Sequence, residues 1–176
     1  MGSRYENVAA TAIRPYRPAD HRAGRRLWAE LAEQHRELYE DPTFGGTDPG
    51  AAFEEYLTRL DLSGVWVAER GDAGVVGLVG LIMDGRDGRV EPVVVTARLR
   101  GQGIGRALLD QVAEEARRRG LARLTVKPQS RNVEALRCLR GAGYDVLSAI
   151  ELAVELRPGS GARRGSVELH GQQFHT

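Results

Sequence analysis

One stretch of the sequence constrains the fold more than any other. A strand-like run of valines at residues 93–95 leads into a loop that carries Gly101, Gly103 and Gly105, and apolar residues then recur at helical spacing from Ile104. The N–H groups in the first turn of a helix have no partner within the helix and share the positive end of its dipole, so they bind anions. Glycine lets a ligand approach that backbone closely. The stretch therefore predicts a site for a phosphate or pyrophosphate group.

The spacing of residues within this loop can be compared with known phosphate-binding motifs. A dinucleotide fingerprint requires glycine or alanine at the position of Arg106, and a Walker-type loop ends in Gly-Lys-Ser/Thr. The only lysine of the chain is Lys127, far downstream of the loop. The loop does contain the pattern Arg-x-x-Gly-x-Gly, formed by Arg100, Gly103 and Gly105.

A second motif follows at a fixed spacing. It consists of Asn132, Ala135, Leu139, Gly143 and Tyr144, in the pattern Asn-x-x-Ala-x-x-x-Leu-x-x-x-Gly-Tyr. Together the two motifs resemble the GCN5-related N-acetyltransferase (GNAT) family, whose members usually carry a tyrosine where this chain has leucine. The two motifs occur in the order that the family shows.

The resemblance extends over roughly residues 10–156 and implies an α/β fold of the mixed α+β kind. We expect a central, mostly antiparallel sheet of six or seven strands, splayed open at a coenzyme cleft and flanked by about four helices. The alternating segment 150–156 is predicted to be the last strand. A chain of 176 residues suffices for one domain. We place this domain at residues 10–157, after a flexible leader (1–9) and before a polar C-terminal tail (158–176).

The resemblance also implies acetyl-CoA as the cofactor. The pantetheine arm would pair with the main chain of the valine strand, and the pyrophosphate would meet the glycine loop. The expected coenzyme contacts are Val93, Val94, Val95, Arg100, Gly101, Gln102, Gly103, Ile104, Gly105, Arg106, Asn132 and Leu139. Alternatively, Asn132 only caps a helix, and the arginines are ordinary surface residues.

Acetyl transfer to an amine requires a base and a route for the leaving thiolate. The resemblance points to Glu91, acting through a water molecule, as the base; the alternative is a solvated carboxylate next to Pro92. Leu139 stands at the usual position of the acid and has no proton to donate. Tyr144 is expected in the core, and Cys138 is expected to point away from the site and to be buried.

The acceptor pocket of this family is usually built from the first helices and the loop between them. Trp28 and His35 are seven residues apart and share one helix face, and Tyr39 follows them. These three residues are the predicted substrate contacts. Further candidates are Asp41, Phe44 and Tyr56. The alternative is that these side chains belong to the core or to an interface.

Composition narrows the class of partner. The formal net charge is +1, with acidic and basic residues mixed along the chain, which argues against a nucleic-acid partner. The single cysteine excludes an internal disulfide bond, and the four histidines lack the spacing of metal ligands, so no metal is expected. No apolar run approaches the ~18 residues of a membrane span. We expect a cytoplasmic protein without a membrane partner.

Three functions remain open at this point. The first is acetyl-CoA-dependent transfer to a primary amine of a small molecule, such as an aminoglycoside, a polyamine or an amino acid. The second is transfer to a protein N-terminus or lysine, and the third is a non-catalytic acetyl-CoA-binding module. A homodimer is compatible with each of them.

Overall fold

The computed structural model describes residues 11–154, 156 and 165–176. The predicted leader at 1–9 and the first part of the predicted tail, 158–164, lie outside the described residues. Four α-helices are present in the described ranges: α1 (His21–Tyr39), α2 (Ala52–Thr58), α3 (Ile104–Arg118) and α4 (Val133–Gly141). The strands are β1 (Thr11–Pro15), β2 (Val65–Arg70), β3 (Val75–Asp84), β4 (Asp87–Val95), β5 (Arg123–Val126), β6 (Ser166–Leu169) and β7 (Gln172–His175).

Five of these strands form the central sheet, in the order β1-β2-β3-β4-β5. Neighbours from β1 to β4 are antiparallel, and β4 and β5 are parallel. A parallel pair needs a crossover connection, and α3 supplies it. This confirms the predicted mixed, mostly antiparallel sheet with four flanking helices. Strands β6 and β7 pair with each other as a separate two-stranded sheet.

The prediction of a last strand at 150–156 was wrong for the residues that the structure describes there. Residues 150–154 and 156 have no regular structure. The apolar side chains of this stretch are exposed, namely Ile150, Leu152, Val154 and Leu156. Alternation determines which side chains share a face of a strand, but a strand also requires a neighbouring strand. The central sheet therefore has five strands in the described ranges rather than six or seven.

Two hydrophobic cores lie on opposite faces of the sheet. The core on one face packs α3 and Leu139 of α4 against the sheet. The core on the other face packs α1 and α2 against it, around Leu27, Phe53 and Tyr56, which are fully buried. Because β2 and β3 are covered on both faces, their residues are apolar almost without interruption. No helix in the described ranges is long and apolar enough to cross a bilayer.

Strand β4 is the element that opens the sheet. It pairs with β5 only as far as Val90, which lies opposite Val126, but it continues to Val95. A register shift against β3 adds an extra residue to β4 around Glu91 and Pro92, as in a β-bulge. The Tyr56 hydroxyl in the α2 core donates a hydrogen bond of 2.7 Å to the Glu91 carbonyl oxygen. The two parallel strands thus part within the sheet.

The end of β4 is held by α1. Glu30 accepts hydrogen bonds from the Thr96 hydroxyl (2.8 Å) and the Ala97 N–H (3.1 Å). Thr96 is buried, so its bond to Glu30 satisfies a hydroxyl that is largely shielded from water. Glu30 therefore fixes the point at which β4 turns toward the glycine loop.

We expect Gly80→Ala to destabilise the fold, because a Cβ at this position would overlap the Tyr56 hydroxyl and lie 2.5 Å from the Glu91 carbonyl oxygen. Overpacking of this kind costs about 1–3 kcal/mol. The free energy of unfolding in urea measures the loss. Gly141→Ala is the matched control, since a Cβ there meets no atom within 4 Å. Equal stability of the two variants would contradict the close packing at the bulge.

Candidate functional site

A cleft of about 870 Å³ lies where β4 and β5 diverge. Residues of the glycine loop, Glu91 and residues of α1 all line it. Its lining includes every expected coenzyme contact except Gln102, and it also includes Trp28 and His35 but not Tyr39. The structure thus brings most of the predicted site residues together around one space.

The glycine loop has the geometry of an anion site. Gly101 and Gly103 have φ angles of 73° and 82°, in the region that favours glycine. No atom lies within 4 Å of a Cβ built on either residue, so the loop backbone is open. Gly103 immediately precedes α3, and residues 104–106 line the cleft. The first-turn N–H groups of α3 therefore lie at the cleft, and the loop fits a diphosphate.

The two arginines expected to bind phosphate are both anchored to the protein. Arg100 Nε donates to the Val95 carbonyl oxygen at 3.1 Å. Arg106 pairs with Asp110 at 2.9 Å and also donates to the Gly141 carbonyl of α4. A guanidinium group has five N–H donors, so these bonds orient both side chains and leave donors for a ligand.

Two other expected coenzyme contacts have partners within the protein. Gln102 lies outside the cleft lining and accepts a hydrogen bond from Arg70 at 2.5 Å. Asn132 is the N-cap of α4, where its side-chain oxygen accepts from the Ala135 N–H at 3.0 Å. The capping alternative for Asn132 is therefore seen directly, and this residue also lines the cleft.

Glu91 projects toward the α2 side of β4, and its side chain is 40% exposed. Its carboxylate lies 3.6 Å from Arg59 Nη2 and 3.1 Å from Arg89 Nε. The contact with Arg89 is an ion pair without hydrogen-bond geometry. Sequence reasoning missed both arginines. The contact with Arg89 could have been predicted, because residues two apart on a strand lie on the same face. The contact with Arg59, at the end of α2, has no such indication in the sequence.

Leu139, which the resemblance matches to the usual position of the acid, is buried in the α3-side core. The expectation for Cys138 was wrong, because its side chain is exposed and lines the cleft. Its sulfur lies 3.5 Å from a Cβ built on Gly105. The physical reason is that Leu139 takes the inward direction of the short helix α4, and the preceding residue then faces the start of α3. Partial burial raises the pKa of the Cys138 thiol, and the nearby Arg106 opposes this shift.

Tyr144 packs against the α3-side core, as expected. Burial raises the pKa of its hydroxyl to about 12. This hydroxyl has no hydrogen-bond partner among the described residues, and Tyr144 does not line the cleft. In this structure Tyr144 therefore does not replace the missing acid.

The α1 side of the cleft is aromatic. Trp28 packs on Tyr56 with ring centroids 4.7 Å apart. His35 is stacked between Tyr39 (4.7 Å) and Phe44 (3.6 Å). Burial lowers the pKa of His35, which favours the neutral imidazole. These contacts hold the predicted acceptor residues as a rigid wall.

The remaining acceptor candidates lie outside the cleft lining. Tyr39 reaches the Ser130 hydroxyl at 3.3 Å. Tyr56 is fully buried and serves the β4 bulge. Asp41 accepts hydrogen bonds from the N–H and the hydroxyl of Thr43. Each of these residues therefore makes contacts within the protein and does not line the cleft.

We expect the Cys138 thiol to react with iodoacetamide more slowly than free cysteine at pH 7.5, because its raised pKa reduces the thiolate fraction. The rate should increase with pH beyond the range in which free cysteine levels off. Mass spectrometry of the labelled chain measures it, and Cys138→Ser is the unlabelled control. A rate that is already at its plateau at neutral pH would contradict this environment.

The comparisons with known proteins agree with this geometry. The family model described as "Acetyltransferase (GNAT) family" matches residues 25–144. The uncharacterized protein YdhI of Bacillus subtilis (strain 168) is 27% identical over 107 residues, which are 61% of this chain. The match spans 66% of the length of YdhI, slightly less than two thirds.

Solved structures of similar proteins share the fold. An acetyltransferase of the GNAT family from Staphylococcus aureus Mu50 superposes with a TM-score of 0.62 at 19% identity, covering 83% of this chain and 95% of that one. A ribosomal-protein-alanine N-acetyltransferase from Brucella melitensis gives a TM-score of 0.60 at 25% identity, covering 75% and 83%. The chain therefore belongs to the acetyltransferase (GNAT) family, which confirms the resemblance and the class of enzyme that the two motifs predicted.

Proposed function

We propose that this protein transfers an acetyl group from acetyl-CoA to a primary amine of a small molecule. One observation carries the proposal: a single cleft joins an anion-binding helix start to a carboxylate and then to an aromatic wall. A loop that bound only an isolated phosphate would not need the rest of this cleft. We also propose that the coenzyme occupies the half near the loop and that the acceptor occupies the half near α1.

The residues at the loop half suit coenzyme A. The open backbone of Gly101 and Gly103 and the start of α3 would hold the diphosphate. Beyond Val90 no strand among the described residues pairs with β4 on the β5 side, so residues 93–95 can bind the amides of an extended arm as an added strand would. When bound, the coenzyme supplies an acetyl group activated as a thioester.

We assign the transfer of the proton to Glu91. An amine that forms an amide must lose a proton, and Glu91 would accept it through a water molecule. Its carboxylate forms ion pairs with Arg59 and Arg89. No tyrosine, serine or threonine occurs among the described lining residues. In this proposal the thiolate therefore leaves without a hydroxyl donor.

Leu139 favours one second candidate, a coenzyme-binding module without turnover, because it removes the usual acid. Titration calorimetry with acetyl-CoA followed by a thiol-release assay on small amines and on peptides separates the possibilities. Binding with turnover on small amines supports the proposal, and turnover on peptides alone would move the acceptor to proteins. Binding without turnover on any amine would favour the module.

We expect Gly105→Leu to weaken acetyl-CoA binding at least about tenfold, because its side chain would extend from the start of α3 toward Cys138 and Val95 into the cleft. Titration calorimetry measures the change. Gly105→Ala is the matched control, since its Cβ would make only ordinary contacts at 3.5 and 3.8 Å. Unchanged affinity in the leucine variant would place the coenzyme elsewhere.

We expect Glu91→Gln to lower kcat by about a hundredfold or more while leaving the affinity for acetyl-CoA within a factor of about two, because a general base acts on the chemical step. The substitution keeps the size of the side chain. Steady-state thiol release measures kcat, and titration calorimetry measures the affinity for acetyl-CoA. Glu55→Gln on α2, outside the cleft lining, is the control. Unchanged kcat would remove Glu91 from the mechanism.

A further inference from the structure

Building on the proposed acetyl transfer, we infer that the preferred acceptor is a monoamine with an apolar or aromatic body, and that polycationic amines are poor acceptors. The inference concerns the acceptor half of the cleft only. It rests on the side chains that α1 and the following loop present there, and on the distribution of charge around Glu91.

The α1 side of the cleft carries no permanent charge. Its lining residues are Trp28, Leu31, Ala32, Gln34, His35, Leu38 and Phe44. Gln34 and His35 are the polar members, and burial favours the neutral form of His35 by lowering its pKa. A surface of this kind binds apolar groups by removing them from water.

Phe44 gives this surface a ring platform at its rim. The Phe44 ring stacks on His35 with centroids 3.6 Å apart and interplanar angle 21°, and it is still 40% exposed. On the opposite side of the stack, Tyr39 lies 4.7 Å from His35. Because the Phe44 ring is already stacked on His35, it can pack against a further ring or an aliphatic chain with little additional loss of side-chain entropy.

The charges that line the cleft are unsuited to a polycation. The described lining residues that carry charge are Arg89, Arg100, Arg106, Lys127 and Arg137 on the basic side and Glu91 and Glu134 on the acidic side. A basic excess suits the phosphates of a coenzyme. Of the two lining carboxylates, Glu134 lies in the first turn of α4, and Glu91 already contacts two arginines. A second ammonium group placed against the α1 side would therefore lose its water shell without a free carboxylate there to pair with.

The two carboxylates beside the α1 side of the cleft, Glu91 and Asp41, already have partners within the protein. Glu91 contacts Arg59 and Arg89, so one negative charge faces two positive ones. Asp41, beside the wall, accepts two hydrogen bonds from Thr43 and does not line the cleft. The acceptor half therefore has room for one amine at Glu91 and offers an apolar surface to the rest of the molecule.

The first experiment compares acceptors on the unmodified protein. Thiol release with acetyl-CoA is measured for 2-phenylethylamine and cyclohexylmethylamine against spermidine and kanamycin. We expect kcat/KM for the two monoamines to exceed that for the polycations at least about tenfold. Polycations with equal or higher kcat/KM would overturn the inference while leaving acetyl transfer itself supported.

A binding measurement keeps the inference testable without turnover. The chain has two tryptophans: Trp28 lines the cleft, whereas Trp66 is 5% exposed in the core. With acetyl-CoA present, 2-phenylethylamine should change the tryptophan fluorescence at saturable concentrations, and Trp28→Phe should abolish the change. Binding of this amine with no transfer to any amine tested would uphold a site for apolar monoamines and overturn the proposed function. Absence of binding, or binding of spermidine alone, would overturn the inference.

Variants of Phe44 test the platform directly. Phe44→Ala should raise KM for 2-phenylethylamine about tenfold with little change in kcat, since it removes an apolar contact that acts on binding. Leu62→Ala is the matched control, because Leu62 is similarly exposed (44%) but lies outside the cleft lining. Phe44→Glu should raise kcat/KM for spermidine and so reduce the preference for monoamines over polycations. Equal KM values for Phe44→Ala and Leu62→Ala would remove Phe44 from the acceptor site.

Discussion

The parting of β4 from β5 after Val90 is the constraint on which the site depends. Two local features cause it. An extra residue around Glu91 and Pro92 shifts the register against β3, and the Tyr56 hydroxyl occupies the Glu91 carbonyl. Gly80 leaves the space that this hydroxyl needs. A strand edge is thereby opened inside a sheet that is packed on both faces, which creates a cleft with main-chain hydrogen-bonding groups along one wall.

The cleft has two halves of different character. Near the start of α3 it is basic and glycine-rich, which suits a phosphorylated coenzyme. Near α1 it is aromatic and uncharged. Glu91 also lines the cleft and forms ion pairs with Arg59 and Arg89. We propose that the basic half binds the acetyl donor and that the aromatic half selects the acceptor amine.

Leu139 is the main departure of this chain from its family, and the structure shows its physical consequence. The side chain completes the α3-side core instead of presenting a hydroxyl to the cleft. Cys138 takes the neighbouring position at the cleft, with its thiol pKa raised by partial burial. Tyr144 is held away from the cleft by the core. In the proposed reaction, Glu91 would serve the amine, whereas no described lining residue offers a tyrosine, serine or threonine hydroxyl to the thiolate.

The amino-acid sequence is sufficient to predict the parts that depend on neighbouring residues: the glycine loop, the helix that it opens, and the helices and strands with clear periodicity. The local pattern of backbone conformation and apolar spacing specifies these parts. Tertiary packing, by contrast, brings Arg59 to Glu91, turns Cys138 toward the cleft, and leaves residues 150–154 and 156 outside the sheet. These outcomes depend on which distant segments pack together. Spacing along the chain does not encode such contacts, because each segment has a defined pattern but no specified partner.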